Sequence, residues 1–130
     1  MKITIIADDL TGANDTGVQF SHRGLAATVL LSPEAAIPEG QDAVIFDTDS
    51  RSSSREEAYQ RVYQVCESMK QQGNRSGMIY KKIDSTLRGH LGAEWDAIYH
   101  ACQPDFIVIA PSYPKAGRMM RDGNLWVNGV

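Results

Sequence analysis

Five short apolar runs recur along the chain, at Lys2–Ala7, Ala27–Leu31, Ala43–Phe46, Met78–Ile83 and Asp105–Ala110. The first, KITIIA, is a continuous β-branched run, the pattern of a strand buried on both faces. Helical segments or long crossovers separate the runs, which parallel strands require. An α/β fold is expected: a Rossmann-like open, mostly parallel sheet of about five strands flanked by helices, with right-handed crossovers. At 130 residues the chain is long enough for one domain with a real core.

The helices carry their own signals. The first is expected from about Ala13 to Arg23, after a loop through Asp8–Gly12, with Gly24 as its stop. The second opens with a capping box of Ser54 and Glu57, continues as a stripe of Ala58, Val62, Val65 and Met69, and ends at Gln71–Asn74. The third covers Leu91–Cys102, with Leu91, Trp95, Ile98 and Cys102 on one side. Residues 32–42, with Pro33, Pro38 and Gly40, form a surface connection. Asp122-Gly123 and Asn128-Gly129 flank Leu125-Trp126-Val127, the start of a hairpin. The sequence stops one residue past a turn, so it is expected to be a fragment of a longer protein.

Composition removes several classes of function. Net charge is −3 with no basic stripe, which argues against nucleic acid or an anionic membrane surface. The longest apolar runs fall far short of the roughly 20 residues needed to span a bilayer. No basic region followed by a long apolar stretch precedes the first strand, so no signal peptide is expected. Cys66 and Cys102 lie in helices outside any CxxC, as buried thiols of a reducing cytoplasm do. His22, His90 and His100 share no metal-ligand spacing.

The chemistry lies in the polar segments at the strand ends. Open α/β sheets bind ligands at the carboxyl edge, and here that edge is lined by Asp, Ser, Thr, Lys and Arg. Asp8 and Asp9 end the first strand, and the segment Thr11–Gly17 offers backbone N–H groups suited to an anion. Thr11, Asn14 and Asp15 are also good helix caps, but capping does not need two adjacent carboxylates. Asp47-Thr48-Asp49-Ser50-Arg51 succeeds the third strand, and the Arg51 fork can take a carboxylate bidentately. Ser52 and Ser53 fit a loop leading to the Ser54 cap. In Lys81–Gly89, alternation sets Lys82 and Asp84 on one side of the strand and Lys81 and Ile83 on the other. Lys82 and Asp84 could bind a carboxylate and hold or deprotonate a hydroxyl, while Ser85, Thr86 and Arg88 lack a structural duty. Asp84 as a helix cap is the bland alternative. Lys115 and Arg118, near Pro111 and Pro114, could reach a phosphate or be surface charges. Cations and carboxylates together suit an acidic, polyhydroxylated small molecule. Neither GxxxxGK[ST] nor GxGxxG is present, so any ATP site lies beyond residue 130.

At these residues the chain resembles the four-carbon acid sugar kinase family. The matching motifs are Ala7–Ala13 with Asp15-Thr16-Gly17, Asp49-Ser50-Arg51, Lys82–Gly89, Ala110-Pro111 with Pro114 and Gly117-Arg118, and Val127–Val130. They occur in the family's order over the whole length. Asn14–Gln19 looks more like the D-threonate and D-erythronate kinases than the 3-oxo-tetronate kinases. The resemblance implies ATP-dependent phosphorylation of the 4-hydroxyl of a four-carbon sugar acid by a two-domain cytoplasmic enzyme, with homodimers as one allowed assembly. This chain would be the N-terminal, sugar-acid-binding domain. The C-terminal domain would bring ATP and Mg²⁺, so the fragment alone is expected to be inactive. By position, the substrate contacts correspond to Asp8, Asp9, Arg51, Lys82, Ile83, Asp84, Ser85 and Arg88. Arg51 and Lys82 would clamp the carboxylate, and Asp9 or Asp84 would orient or deprotonate the attacking hydroxyl.

Three rivals differ in class. A response-regulator receiver phosphorylated on Asp47 would use Asp8/Asp9, Ser85 and Lys115, but gives Asp84–Gly89 no role. A phosphatase using Asp47-Thr48-Asp49 would want that motif after the first strand. A stand-alone sugar-acid-binding module would use the same pocket.

Overall fold

The computed structural model describes residues 3–73 and 77–130. Lys2 and Asn74, placed above in a strand and at a helix end, lie outside the described residues. The elements are β1 (Ile3–Ala7), α1 (Leu10–Ser21), β2 (Ala27–Leu30), β3 (Ala43–Asp47), α2 (Arg55–Gln71), β4 (Met78–Lys82) and α3 (Leu91–Cys102), then a 3₁₀ turn at Pro114–Ala116, β5 (Arg118–Arg121) and β6 (Asn124–Val127). The first four strands form a parallel sheet in the order β2-β3-β1-β4, and β5 and β6 form a separate antiparallel hairpin.

Strand alternation divides the core in two. Ile6, Val44 and Phe46 point to one face and pack with Val62, Val65, Cys66 and Met69 of α2 and Ala97, Ile98 and Ala101 of α3. Ile5, Ala7, Ala43 and Ile45 point to the other, with Ala13 and Phe20 of α1. Register and alternation then fix the polar ends. Ala7 pairs with Asp47 on one side and Lys82 on the other, so these three share the α1 face. Ile6 pairs with Lys81, so Lys81 faces α3.

The helix signals hold in most particulars. Ser54 and Glu57 make the full capping box, and Gly73 at φ 67° terminates α2. The first helix begins earlier than expected because Asp9 itself caps it, accepting from the Gly12 N–H at 3.0 Å. On α3 the buried residues are Ala93, Glu94, Ala97, Ile98 and Ala101, with Leu91, Trp95 and Cys102 only half-buried. The hairpin closes through Asp122-Gly123, both at positive φ as a primed turn needs.

The fifth strand of the sequence-based expectation is a correction. Asp105–Ala110 is in no sheet, and Phe106 and Val108 are 79% and 77% exposed. The reason lies in the layers. A strand beside β4 would be covered on the α3 face, but α1 does not extend over that end of the sheet. Met78 and Tyr80, the β4 residues on the α1 face, are each 48% exposed. A parallel strand needs both faces covered, and this one would have one.

At concentrations where the chain is monomeric, amides of Phe106–Ile109 should exchange with D₂O within seconds, while those of β1 and β3 stay protected. Hydrogen-exchange mass spectrometry checks this; protection of Phe106–Ile109 equal to that of β4 would contradict the exposed placement.

Candidate functional site

The β1-to-β2 and β3-to-β4 crossovers run to opposite sides over opposite faces, so the switch point of the sheet lies between the carboxyl ends of β1 and β3. Asp8 and Asp9 stand there. Asp8 is fully buried, and its two oxygens accept from Arg51 Nε and Nη2, each at 2.9 Å. Asp9 accepts from Arg51 Nη1 and Nη2, each at 2.7 Å, while also capping α1. The backbone reinforces the same join: Ser50 and Arg51 N–H groups donate to the Asp8 carbonyl at 3.0 and 3.1 Å. Asp49 turns the loop at φ 44°. The Asp8 bond and the neighbouring carboxylates raise the Arg51 guanidinium further above its already high value.

Asp84, from the β4–α3 loop, completes the cluster with Oδ1 at 3.7 Å from Arg51 Nη1. Its carboxylate accepts from Arg88 Nη2 at 2.7 Å and Nε at 3.0 Å, and from the Thr86 hydroxyl and N–H at 2.6 and 2.9 Å. These bonds, Arg88 first, hold the Asp84 carboxyl well below the usual carboxylate range. They also shape the loop, in which Leu87 has φ 61° and Gly89 φ 95°. A Cβ on Gly89 would sit 3.2 Å from Asp8 Oδ2, and one on Gly12 only 2.6 Å from Asp9 Oδ1. Only glycine lets both loops close on the acid pair.

Lys82 extends along the start of α1, where its Nζ donates to the Ile83 carbonyl at 2.7 Å. Asp47 is half-buried and takes the Asp49 N–H at 3.0 Å. Burial pushes its carboxyl upward; the Asp49 N–H opposes this, and the charges of Asp49, Asp9 and Asp8 add to it. Asp8, Asp9, Arg51, Lys82, Asp84 and Arg88 therefore meet at one edge, with Ile83 lending its carbonyl. Ser85 is exposed beside them and has no hydrogen bond among the described residues. Lys115 and Arg118 belong to the 3₁₀ turn and hairpin, and none of the hydrogen bonds or ion pairs among the described residues joins them to the cluster.

Below the cluster is a buried network that sequence reasoning missed. Glu94 of α3, fully buried, accepts from the Ser50 hydroxyl at 2.5 Å and faces Lys81 Nζ at 3.1 Å. Ser50 meets the Thr48 hydroxyl at 2.7 Å, and Thr48 donates to the Ala7 carbonyl at 2.9 Å. Lys81 also donates to the Lys82 carbonyl at 3.0 Å. One carboxylate thus ties α3 to the ends of β1, β3 and β4. The available signal was Glu94 itself, a charge among Ala93, Ala97 and Ile98 on an apolar face.

No group of three or more His, Cys, Asp or Glu among the described residues is arranged to hold a metal ion. The Asp8, Asp9 and Asp84 carboxylates are engaged by guanidinium groups instead, so they do not fit a Mg²⁺ site. No helix among the described residues is long and apolar enough to cross a membrane.

Residues 3–130 match the family of sugar-binding N-terminal domains. The chain belongs to the four-carbon acid sugar kinase family, as its sugar-binding N-terminal domain. It is 40% identical to a D-threonate kinase of Salmonella typhimurium over 100% of this chain and 30% of that protein. It is 42% identical to a D-erythronate kinase of Heliobacterium modesticaldum over 99% of this chain and 30% of that protein. A 3-oxo-tetronate kinase of Salmonella typhimurium is 34% identical, covering 98% of this chain and 31% of its own length. These relatives are kinases, so the family is enzymatic, and the chain spans about 30% of the curated relatives' length. Among solved structures, a DUF1537 domain from Bordetella bronchiseptica, a domain-swapped dimer with bound citrate, superposes with TM-score 0.88. It is 37% identical, over 99% of this chain and 33% of that one.

Two outcomes are expected of the buried pairs. Lys81→Met and Glu94→Leu should each destabilise the chain by about 3 kcal/mol, because each leaves an unpaired buried charge. The double variant should lie closer to wild type than either single, as urea denaturation would measure. Asp84 has a folded-state value below its unfolded one of about 3.9. Its bonds therefore contribute fully above that pH and are lost as pH falls. The wild-type advantage in urea midpoint over Asp84→Asn should shrink from about pH 5 downward.

Proposed function

We propose that this chain is the sugar-acid-binding part of an ATP-dependent kinase that phosphorylates the 4-hydroxyl of a four-carbon acid such as D-threonate or D-erythronate. The observation that carries this reading is the cluster at the β1 end, where carboxylates and cations from three strand ends meet. Its support from outside is the three kinase names among the relatives. Roles can be assigned from which groups are already engaged. Arg51 directs four hydrogen bonds to Asp8 and Asp9, so it is the brace of the site. Lys82, tied only to a carbonyl, is the cation offered to the substrate carboxylate, and Arg88, with a side chain 67% exposed but held by two hydrogen bonds to Asp84, borders it. Ser85, exposed and without a hydrogen bond among the described residues, serves the substrate hydroxyls.

ATP and Mg²⁺ belong to the part of the longer protein C-terminal to this chain, and its closure over the edge would exclude water from the transferred phosphoryl group. Phosphoryl transfer rests mainly on positioning and charge, which suits a rigid, braced acceptor site. The reading places the enzyme in the cytoplasm. A homodimer is part of the same proposal, supported by the exposed Phe106–Ile109 run and the swapped dimer of the Bordetella relative.

Calorimetry of this chain with D-threonate, D-erythronate and L-threonate should show binding of at least one acid, weakened tenfold or more by Lys82→Ala. Binding of none, together with an acid-labile phosphate on Asp47 after acetyl phosphate treatment, would turn the assignment toward a receiver.

A further inference from the structure

The row across the α1 face ends in opposite charges: Asp47 on β3, the Ala7 methyl on β1, and Lys82 on β4. Its outer members stand two strand spacings apart, about 10 Å. The Ala7 methyl between them is fully buried against α1, so a ligand reaches Asp47 and Lys82 from beyond the strand ends, where Asp9 caps α1. A short chain with a carboxylate at one end and a hydroxyl at the other would bridge these two side chains at the sheet edge, its carboxylate toward Lys82. The terminal hydroxyl then lies on the Asp47 side.

Of the carboxylates at this edge, those expected from sequence to handle the hydroxyl are already engaged. Both oxygens of Asp9 and both of Asp84 accept from a guanidinium. An oxygen so held has less to offer an incoming hydroxyl. Asp47 differs: Oδ1 takes one backbone N–H, and Oδ2 has no partner among the described residues.

Resting on the kinase reading, we propose that Asp47 is the catalytic carboxylate that accepts the proton of the substrate's terminal hydroxyl. The hydroxyl oxygen forms a bond to the γ-phosphorus of the nucleoside triphosphate. The bond from that phosphorus to the β–γ bridging oxygen breaks, the nucleoside diphosphate leaves with the electron pair, and the proton passes to Asp47. The charges facing Asp47 suit this task. Asp8 and Asp9 come from the β1–α1 junction and Asp49 from its own loop, where Arg61 of α2 approaches Asp49 to 3.8 Å. Arg51 sits between the acid pair and this loop, and Lys82 closes the row from β4. Burial raises the Asp47 carboxyl above the ordinary carboxylate value, toward the range a general base uses.

The test uses the full-length protein that carries this chain, with Asp47→Asn, Asp47→Glu and Asp9→Asn, assayed by coupled release of nucleoside diphosphate. Asp47→Asn should lower kcat by about 100-fold or more, leave KM for the acid within about threefold, and remove the acid limb of the kcat profile. Asp47→Glu should keep that limb and recover part of kcat, even if Asp47→Asn folds poorly. Retention of kcat within threefold in Asp47→Asn, or loss of the acid limb in Asp9→Asn alone, would overturn the assignment. An Asp47→Glu variant no better than Asp47→Asn would also overturn it. A wild type that phosphorylates no four-carbon acid would remove the kinase reading beneath it, whereas an active wild type with an unimpaired Asp47→Asn removes only the role of Asp47.

Discussion

The fork of Arg51 into Asp8 and Asp9 is the join on which the site depends. Asp8 is fully buried, and a buried carboxylate is tolerated only with its charge paired and its oxygens hydrogen-bonded. Arg51 meets both requirements at once, and its planar geometry lets one side chain hold two consecutive aspartates. A lysine there could not do so. In consequence the β3–α2 loop, the α1 cap and the β4–α3 loop are fixed to one another, although they are far apart in sequence. The two glycines that approach the acid pair, Gly12 and Gly89, are required by the same closeness.

Much of this was accessible from residue order. Caps and stops bounded α2 because Ser54, Glu57 and Gly73 act through local backbone chemistry, and local chemistry is what sequence displays. Alternation correctly separated Lys82 from Lys81, and the structure sets the first beside α1 and the second against Glu94. The polar residues after β1, β3 and β4 pointed to one edge because parallel strands must end on the same side. What escaped was set by tertiary pairing. The sequence showed that Arg51 could clamp a carboxylate, but not that the protein's own aspartates take four of its bonds. Asp105–Ala110 has a strand's composition, yet whether it pairs depends on a covering layer that no property of the run encodes.

The buried Glu94 network bears on specificity more than on stability. A buried ion pair is often no more stabilising than well-packed apolar residues would be. Its geometry does something packing cannot: Glu94 reaches Ser50 of the loop that carries Arg51, and Lys81 reaches the carbonyl of Lys82. The directions of Arg51 and Lys82 are thereby referred to α3, a helix packed against α2 over a common core.

This division of labour explains why so charged an edge carries so little free charge. Arg51 engages both members of the acid pair and Arg88 binds Asp84, leaving Lys82 and Asp47 at opposite ends of one row. On the proposed kinase reading, a substrate entering there would meet a cation and an acceptor already in place, and few groups that must reorient. Phosphoryl transfer gains most from such preorganisation, since the protein has little covalent chemistry to perform. On the same reading, an acid must be long enough to touch both ends of the row, with the flexible Lys82 side chain taking up the difference.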